Sequence, residues 1–199
     1  LNGSAFYTNF TNQQQHILDL ETFIAGNYNY NKSTILGFEL ESRIRLTNFL
    51  DLFASYGFTQ AEIIDGGKTG GEDGMATDNT VYNGNKTPFV PVDNFNVGLE
   101  SSFNLTTNLR FNGFLNLDYT GKTYWHESNL EAHTTNGYSL LSARIGLEYK
   151  KWKLDFWGKN LTNKQYYQEF SPGEFVGSPD DAGWRGQPLS FGTAITVKF

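Results

Sequence analysis

Few residues in this chain have types and spacings that could do chemistry. In "IIDGGKT", residues 63–69, the run Gly67, Lys68 and Thr69 follows a strand pattern and half-resembles a phosphate-binding loop. Glu62 stands where the first glycine of such a loop belongs, and "GGEDGMATDN" does not open a helix whose dipole would face a phosphate. Nucleotide binding is therefore set aside. His16, His126 and His133 are too far apart for a local metal motif, and "HESNLEAH" at 126–133 reads as loop, without the helical spacing that converges ligands. Acidic residues gather at Asp65, Glu72, Asp73 and Asp78 and again at Glu169, Glu174, Asp180 and Asp181. They offer oxygens to calcium, but solvated loop charge is the plainer reading. With no cysteine and no nucleophile elbow, no catalytic residue, metal or cofactor is assigned, and the chain is not read as an enzyme.

What remains is a set of aromatic and polar residues suited to binding: Tyr124, Trp125, His126, Tyr166, Tyr167, Trp184 and Arg185. Aromatic anchors with a few polar neighbours are typical of contact surfaces. All seven fall in the long connections or, like Tyr124, at a strand end that enters one, so the elements between them decide where they point. Alternation of apolar and polar residues gives about eight strands, at 4–16, 33–46, 50–64, 93–104, 108–124, 138–150, 152–161 and 189–199. In "TILGFELESRIRL", Leu36, Phe38, Leu40, Ile44 and Leu46 share one face, while Glu39, Glu41, Arg43 and Arg45 share the other. The polar face is expected to be polar throughout, carrying both signs of charge, among them Glu100, Arg110, Arg144, Lys153 and Asp155. Only the first strand has no settled phase, because "AFY" is apolar on both faces.

The composition limits what such strands can build. Aromatics make up 16% of 199 residues while the apolar share is only 38%, and mean hydropathy is −0.47. No apolar run approaches the roughly 20 residues of a membrane helix, a limit that leaves a membrane barrel open. A net charge of −6 and a pI near 5.0 give no basic stripe for nucleic acid.

The connections are the strongest signal. Those near 46–50, 104–108 and 149–152 are tight, whereas 17–32, 65–92, 125–137 and 162–188 are long. Strict alternation of this kind suits an up-and-down outer-membrane barrel with short periplasmic turns and long outside loops; a Greek-key sandwich has no reason to sort its loops. Aromatics also collect where the apolar faces end: Phe49, Phe103, Tyr149, Trp152 and Phe199 near the tight turns, and Phe58, Phe95, Tyr119, Tyr124 and Trp125 near the long loops. Phe199 is thus expected to anchor a closing strand at the inner interface and to serve barrel assembly. Two alternatives stay open: a complete eight-stranded barrel in which strand 4–16 pairs with 189–199, and a soluble β-sandwich.

"ILGFELESRIRL" with "LDLFASYGFTQAEI", "NKTPFVPVDNFNVGLESSF" with Pro88 and Pro91, and above all "DFWGKNLTNKQYY" with "GQPLSFGTAITVKF" resemble motifs of TonB-dependent outer-membrane transporters. The resemblance implies an all-β antiparallel segment, residues 1–199 forming the carboxy-terminal part of a barrel of about 22 strands. The plug domain and the energy-coupling box of such transporters have no counterpart in the sequence, so a piece of a longer chain is expected. By the same resemblance the parent sits in the bacterial outer membrane, works with TonB and imports a scarce nutrient, most often a ferric siderophore. The expected partners are then outer-membrane lipid, the missing plug and remaining barrel strands, and TonB acting through the parent.

Overall fold

A computed structural model describes residues 1–18, 25–70, 76–171, 173 and 178–199. In chain order the strands are β1 (Asn2–Leu18), β2 (Ala25–Thr47), β3 (Leu50–Asp65), β4 (Lys68–Gly70), β5 (Ala76–Asp78), β6 (Asp93–Asn104) and β7 (Leu109–Thr120). They continue as β8 (Thr123–Tyr124), β9 (Thr134–Thr135), β10 (Tyr138–Tyr149), β11 (Trp152–Lys159), β12 (Tyr167–Ser171), β13 (Ala182–Arg185) and β14 (Ser190–Val197). Eight of them form one antiparallel sheet in the order β1-β2-β3-β6-β7-β10-β11-β14, so each neighbour in space is the next long strand in sequence. The remaining six pair off as three small hairpins inside the long connections, β4 with β5, β8 with β9 and β12 with β13.

Register fixes the two faces. Directly opposed residues share a face, and Leu52 opposes Leu99, Leu99 opposes Leu115, Leu117 opposes Leu141, and Ile145 opposes Phe156. That apolar face is open: Leu36, Leu40, Ile44, Ile145 and Ile195 are 49%, 47%, 51%, 52% and 69% exposed. No second sheet covers it among the described residues, which excludes the sandwich. The first strand also finds its phase. Ala5 and Tyr7 oppose Phe38 and Leu36 on the apolar face, while Phe6 turns to the polar face and lies over Gly37, where a Cβ would collide with its ring.

Tight turns close one end. Thr47 opposes Leu50 and Tyr149 opposes Trp152, leaving two-residue loops, and Lys150 takes the left-handed φ of +53° that such a reversal demands. Just inside this end Phe103 packs against Phe49 at 5.6 Å and Phe111 at 5.1 Å. Toward the other end Phe38 meets Tyr56 at 5.8 Å and Phe58 at 5.7 Å, and Phe95 stacks on Tyr119 at 4.9 Å. These are the two aromatic bands.

Three expectations need correction. The segment 17–32 does not read as strand, yet β1 and β2 continue their ladder as far as Leu18 opposite Ala25. Above an apolar band, strands need only backbone partners, so residues 25–32, with few apolar side chains, can stay in register with β1. The strand expected over 152–161 stops at Lys159, because Asn160 enters the left-handed region at φ +50° and opens the loop there, and the strand expected over 189–199 spans Ser190–Val197. Finally, β1 and β14 stand at opposite ends of the strand order with no ladder between them, so the eight strands do not close on themselves as a small barrel.

Candidate functional site

The long connections fold into a layer at one end of the sheet. Its apolar centre is small: Tyr30 and Ile63, both buried, with Tyr82 against them. Backbone bonds tie residues 83–87 onto β3, from Gly84 N to the Ile63 carbonyl, Ile63 N to Asn85 and Thr87 N to Ala61. The next connection is clasped to the same segment. Lys86 N donates to Asn129 Oδ1 at 2.6 Å, Asn129 Nδ2 donates to the Lys86 carbonyl at 3.0 Å, and Asn85 Nδ2 donates to the Glu127 carbonyl at 2.7 Å. Asn129, at φ +53°, has the side chain that tolerates this conformation and can bond the backbone locally.

The sequence-predicted contacts fall into two groups. Tyr124, on β8, carries Lys122 Nζ over its ring at 5.1 Å. Trp125 bonds Thr135 Oγ1 through Nε1 at 3.1 Å and meets the ring of Phe89 edge-on at 5.6 Å. His126 is not a loop tip. It is largely buried, edge-on to both Tyr82 and His133, and its Nε2 lies 3.4 Å from Glu127 Oε2. The second group lies on the β12–β13 hairpin: Tyr167 opposes Arg185, Trp184 is 58% exposed, and Tyr166 stacks on Tyr138 at 4.5 Å.

His126, Glu127 and His133 come together although their spacing does not announce it, because the turn at Glu131–His133 doubles the connection back. Burial, with His133 adding to it, holds the His126 imidazole down at about 3, and burial pushes the Glu127 carboxyl up. Their 3.4 Å contact has the spacing of an ion pair, yet burial disfavours charge on both partners, so at neutral pH His126 is neutral there. Elsewhere in the layer, Lys68 and Thr80 hold Asp78 down at about 2, and the Glu131 carboxylate raises Lys122. Lys68 lies on a strand, in the β4–β5 hairpin opposite Asp78, and so not in the backbone cradle of a phosphate loop. Among the described residues no three His, Cys, Asp or Glu side chains group as a metal centre. Glu72, Asp73 and Glu174 lie outside the described residues, as does the side chain of His16.

The motif "NLTNK" is a staple. Asn160 is buried, donates through Nδ2 to the carbonyls of Lys164 and Gln187 at 2.9 Å each, and accepts from Lys164 N at 2.8 Å. Asn163 Oδ1 accepts from Leu189 N at 3.2 Å. Both ends of the last long connection are thereby fastened above β11 and β14.

The polar face of the sheet departs from expectation. Ion pairs line its tight-turn end, where Asp51 bridges Arg43 and Arg45, Arg43 also reaches Glu100, and Lys198 meets Glu148. Further along, the face is aromatic. Phe53 and Phe114 stack at 5.8 Å, Arg144 lies 5.9 Å from the Phe114 ring, and Trp157 covers Gly192. The register places Phe114, Arg144 and Trp157 side by side across β7, β10 and β11. The face is therefore not polar throughout. The signal was present in "LRFNGFLNLDYT", where Phe114 alternates with the polar set, and in "FWGK", where two adjacent aromatics must face opposite ways.

Three solved structures superpose on almost the whole chain. The siderophore receptor PiuA from Acinetobacter baumannii matches 99% of this chain and 26% of its own, with a TM-score of 0.72 and 22% identity. The ferric yersiniabactin uptake receptor FyuA from Yersinia pestis matches 99% and 27%, at 0.77 and 17%. The ferric-catecholate import receptor Fiu from Escherichia coli K12 matches 98% and 24%, at 0.61 and 18%. The chain thus spans about a quarter of the length of these relatives, and at such identities they share its fold. The family model for TonB dependent receptor-like β-barrels matches residues 1–161. An uncovered apolar face, a lined polar face, tight turns at one end and a fastened loop layer at the other are what that family builds in the outer membrane, and the chain belongs to it.

Proposed function

We propose that residues 1–199 form the carboxy-terminal wall of an outer-membrane active transporter that imports a scarce nutrient, a ferric siderophore, with TonB acting through the parent chain. One observation carries this reading: an antiparallel sheet whose apolar side chains gather on one uncovered face, while its opposite face holds ion pairs and laid-down aromatics. Such a wall separates lipid from an aqueous interior. The structural neighbours, receptors and uptake proteins for siderophores and ferric chelates, point to the substrate class.

In this reading the tight turns are periplasmic, the loop layer faces outside, and Tyr124, Trp125, Tyr166, Tyr167, Trp184 and Arg185 contribute to first contact. His126 acts from beneath by fixing the connection that carries Trp125. Phe199 closes the wall at the inner interface: the ladder runs past Val197 through Lys198 N to the Lys151 carbonyl at 2.9 Å, and the ring beyond it is fully exposed. The test is iron-limited growth and uptake of labelled ferric siderophores by cells with and without the gene, in backgrounds with active and inactive TonB. Uptake of at least one chelate should need both. Uptake that is indifferent to the gene across the panel sinks the reading.

A further inference from the structure

The connection that carries Trp125 turns on a histidine whose two ring nitrogens are both engaged. Ser128 N donates to His126 Nδ1 at 3.0 Å, and Ser128 Oγ lies 2.9 Å from the same nitrogen. A backbone N–H can only donate, so Nδ1 carries no proton, and the ring's single proton sits on Nε2, 3.4 Å from Glu127 Oε2. The turn built on this bond sets the clasp. Asn129 N donates to the His126 carbonyl at 3.1 Å, and the Asn129 amide then meets Lys86 through both of its polar atoms. We infer that this turn is an acid-released latch: a proton taken from solvent at His126 Nδ1 evicts the Ser128 N–H, and the connection 121–137 comes away from residues 83–87. Trp125 and Tyr124 are then held in place only while the ring is neutral.

Geometry makes the latched ring intolerant of a second proton. An Nδ1–H would point at the Ser128 N–H, donor against donor, with only Ser128 Oγ able to turn and accept it. The groups around the ring give little relief. Tyr82, from the turn Asn79–Tyr82, and His133, from the turn Glu131–His133, both meet it edge-on, and Tyr30 of β2 is buried beyond Tyr82. Glu62 of β3 is taken by Lys86, and Glu131 by Lys122. Only Glu127 is placed to balance a charge, and it is buried with Oε1 lacking a hydrogen-bond partner, which pushes its own carboxyl toward the neutral form. Every one of these side chains belongs to this chain, so further strands or loops of a parent can only deepen the burial. Below about pH 6.5 the released ring takes up a proton that the latched ring refuses, so acid favours release by about tenfold per pH unit. Glu127 opposes this: latched, it is protonated at a higher pH than released, which favours the latch as pH falls toward about 4.5.

The experiment reads the distance between the two connections. Val81 and Leu130, 71% and 53% exposed, lie one on each, and the chain has no cysteine of its own. The detergent-solubilised protein that carries this chain, with Val81→Cys and Leu130→Cys spin-labelled, is measured by pulsed electron spin resonance from about pH 7.5 to about pH 4. In a Glu127→Gln background one short distance should stand alone at the upper end, and a longer one should grow in acid, its ratio to the first rising about tenfold per pH unit and reversing on neutralisation. Asn129→Ala should show the longer distance at neutral pH, which marks the released state. His126→Gln, which takes up no proton, should abolish the pH dependence. Heat-modifiable migration at each pH confirms that the strands are assembled. A single distance throughout in Glu127→Gln, or growth of the longer one that survives His126→Gln, overturns the inference. If His126→Gln fails to assemble, restoring Glu127 decides: the rise should become shallower, and an equally steep one overturns the latch. No arm uses TonB or uptake, so failure here leaves the transport reading standing, and a failure of uptake leaves the latch standing.

Discussion

In the strand wall, Leu36, Leu40, Ile44 and Ile145 are about half exposed, at 47–52%; in the loop layer, Asn79, His133 and Glu127 are buried, at 0%, 6% and 6%. One chain uses its apolar side chains on the outside at one level and its polar side chains on the inside at the next. The reversal follows the solvent. A bilayer rewards apolar surface that water would penalise, while the loop layer, with an apolar centre of only Tyr30, Ile63 and Tyr82, holds its shape with hydrogen bonds.

The sharpest way to break this comparison is a charge on the wall. Leu115→Arg should cost about 2–4 kcal/mol in a bilayer, measured by denaturant unfolding from vesicles. A water-facing Leu at 43% exposure would tolerate the same change within about 0.5 kcal/mol, and that result would undo the assignment of the apolar face to lipid. Next in size, Phe199→Lys in the parent should lower the amount assembled in the outer membrane far more than it lowers substrate affinity, whereas Trp184→Ala should lower uptake with assembly intact. Normal assembly with lost binding in the Phe199 variant would invert the orientation proposed for the sheet.

In the loop layer, Asn129→Ala should cost about 1–3 kcal/mol locally, since it strands the amide and carbonyl of Lys86. Hydrogen exchange at residues 85–89 should rise while that of β7 and β10 stays unchanged. Acid should do the same more gently. A folded-state His126 at about 3, against an ordinary value near 6.5, contributes stability above about pH 6.5 that is lost as pH falls toward 3. Glu127, raised by burial, works in the opposite sense, so the measurement belongs in Glu127→Gln; exchange at Lys86 that is flat from about pH 7 to about pH 4 would dismiss it. The smallest effect is at Lys68→Ala, where the exposed pair with Asp78 should leave stability unchanged and let the Asp78 carboxyl titrate nearer its usual range, as carboxyl resonances would report.

What was legible in the sequence was the wall. Period-2 alternation around Leu36–Leu46 and Leu109–Tyr119, with tight and long connections in turn, specifies strand order, faces and girdles, because in a bilayer every lipid-facing position is constrained alike. The loop layer was opaque for a physical reason. Contacts such as Asn129 with Lys86, or His126 with His133, join residues whose proximity is set by the path of irregular backbone, and no period announces that path. The ladder of β1 and β2 above the band escaped notice because its polar residues obey no solvent constraint. The aromatic row on the polar face lay in between: Phe114 was in the right phase, but a single aromatic among Asn, Asp and Arg carries little weight until Arg144 and Trp157 are seen beside it.

Phe53 rests on Gly98 as Trp157 does on Gly192, and at both glycines a Cβ would meet the ring. The consequence is one of clearance. A ring lying flat occupies only its own thickness, so the sheet can carry large side chains without building up the height of its polar face. Replacing Gly98 by alanine would act as a wedge beneath the ring, tipping it off the sheet, so the flatness of the polar face at this level hangs on the absence of a single methyl group.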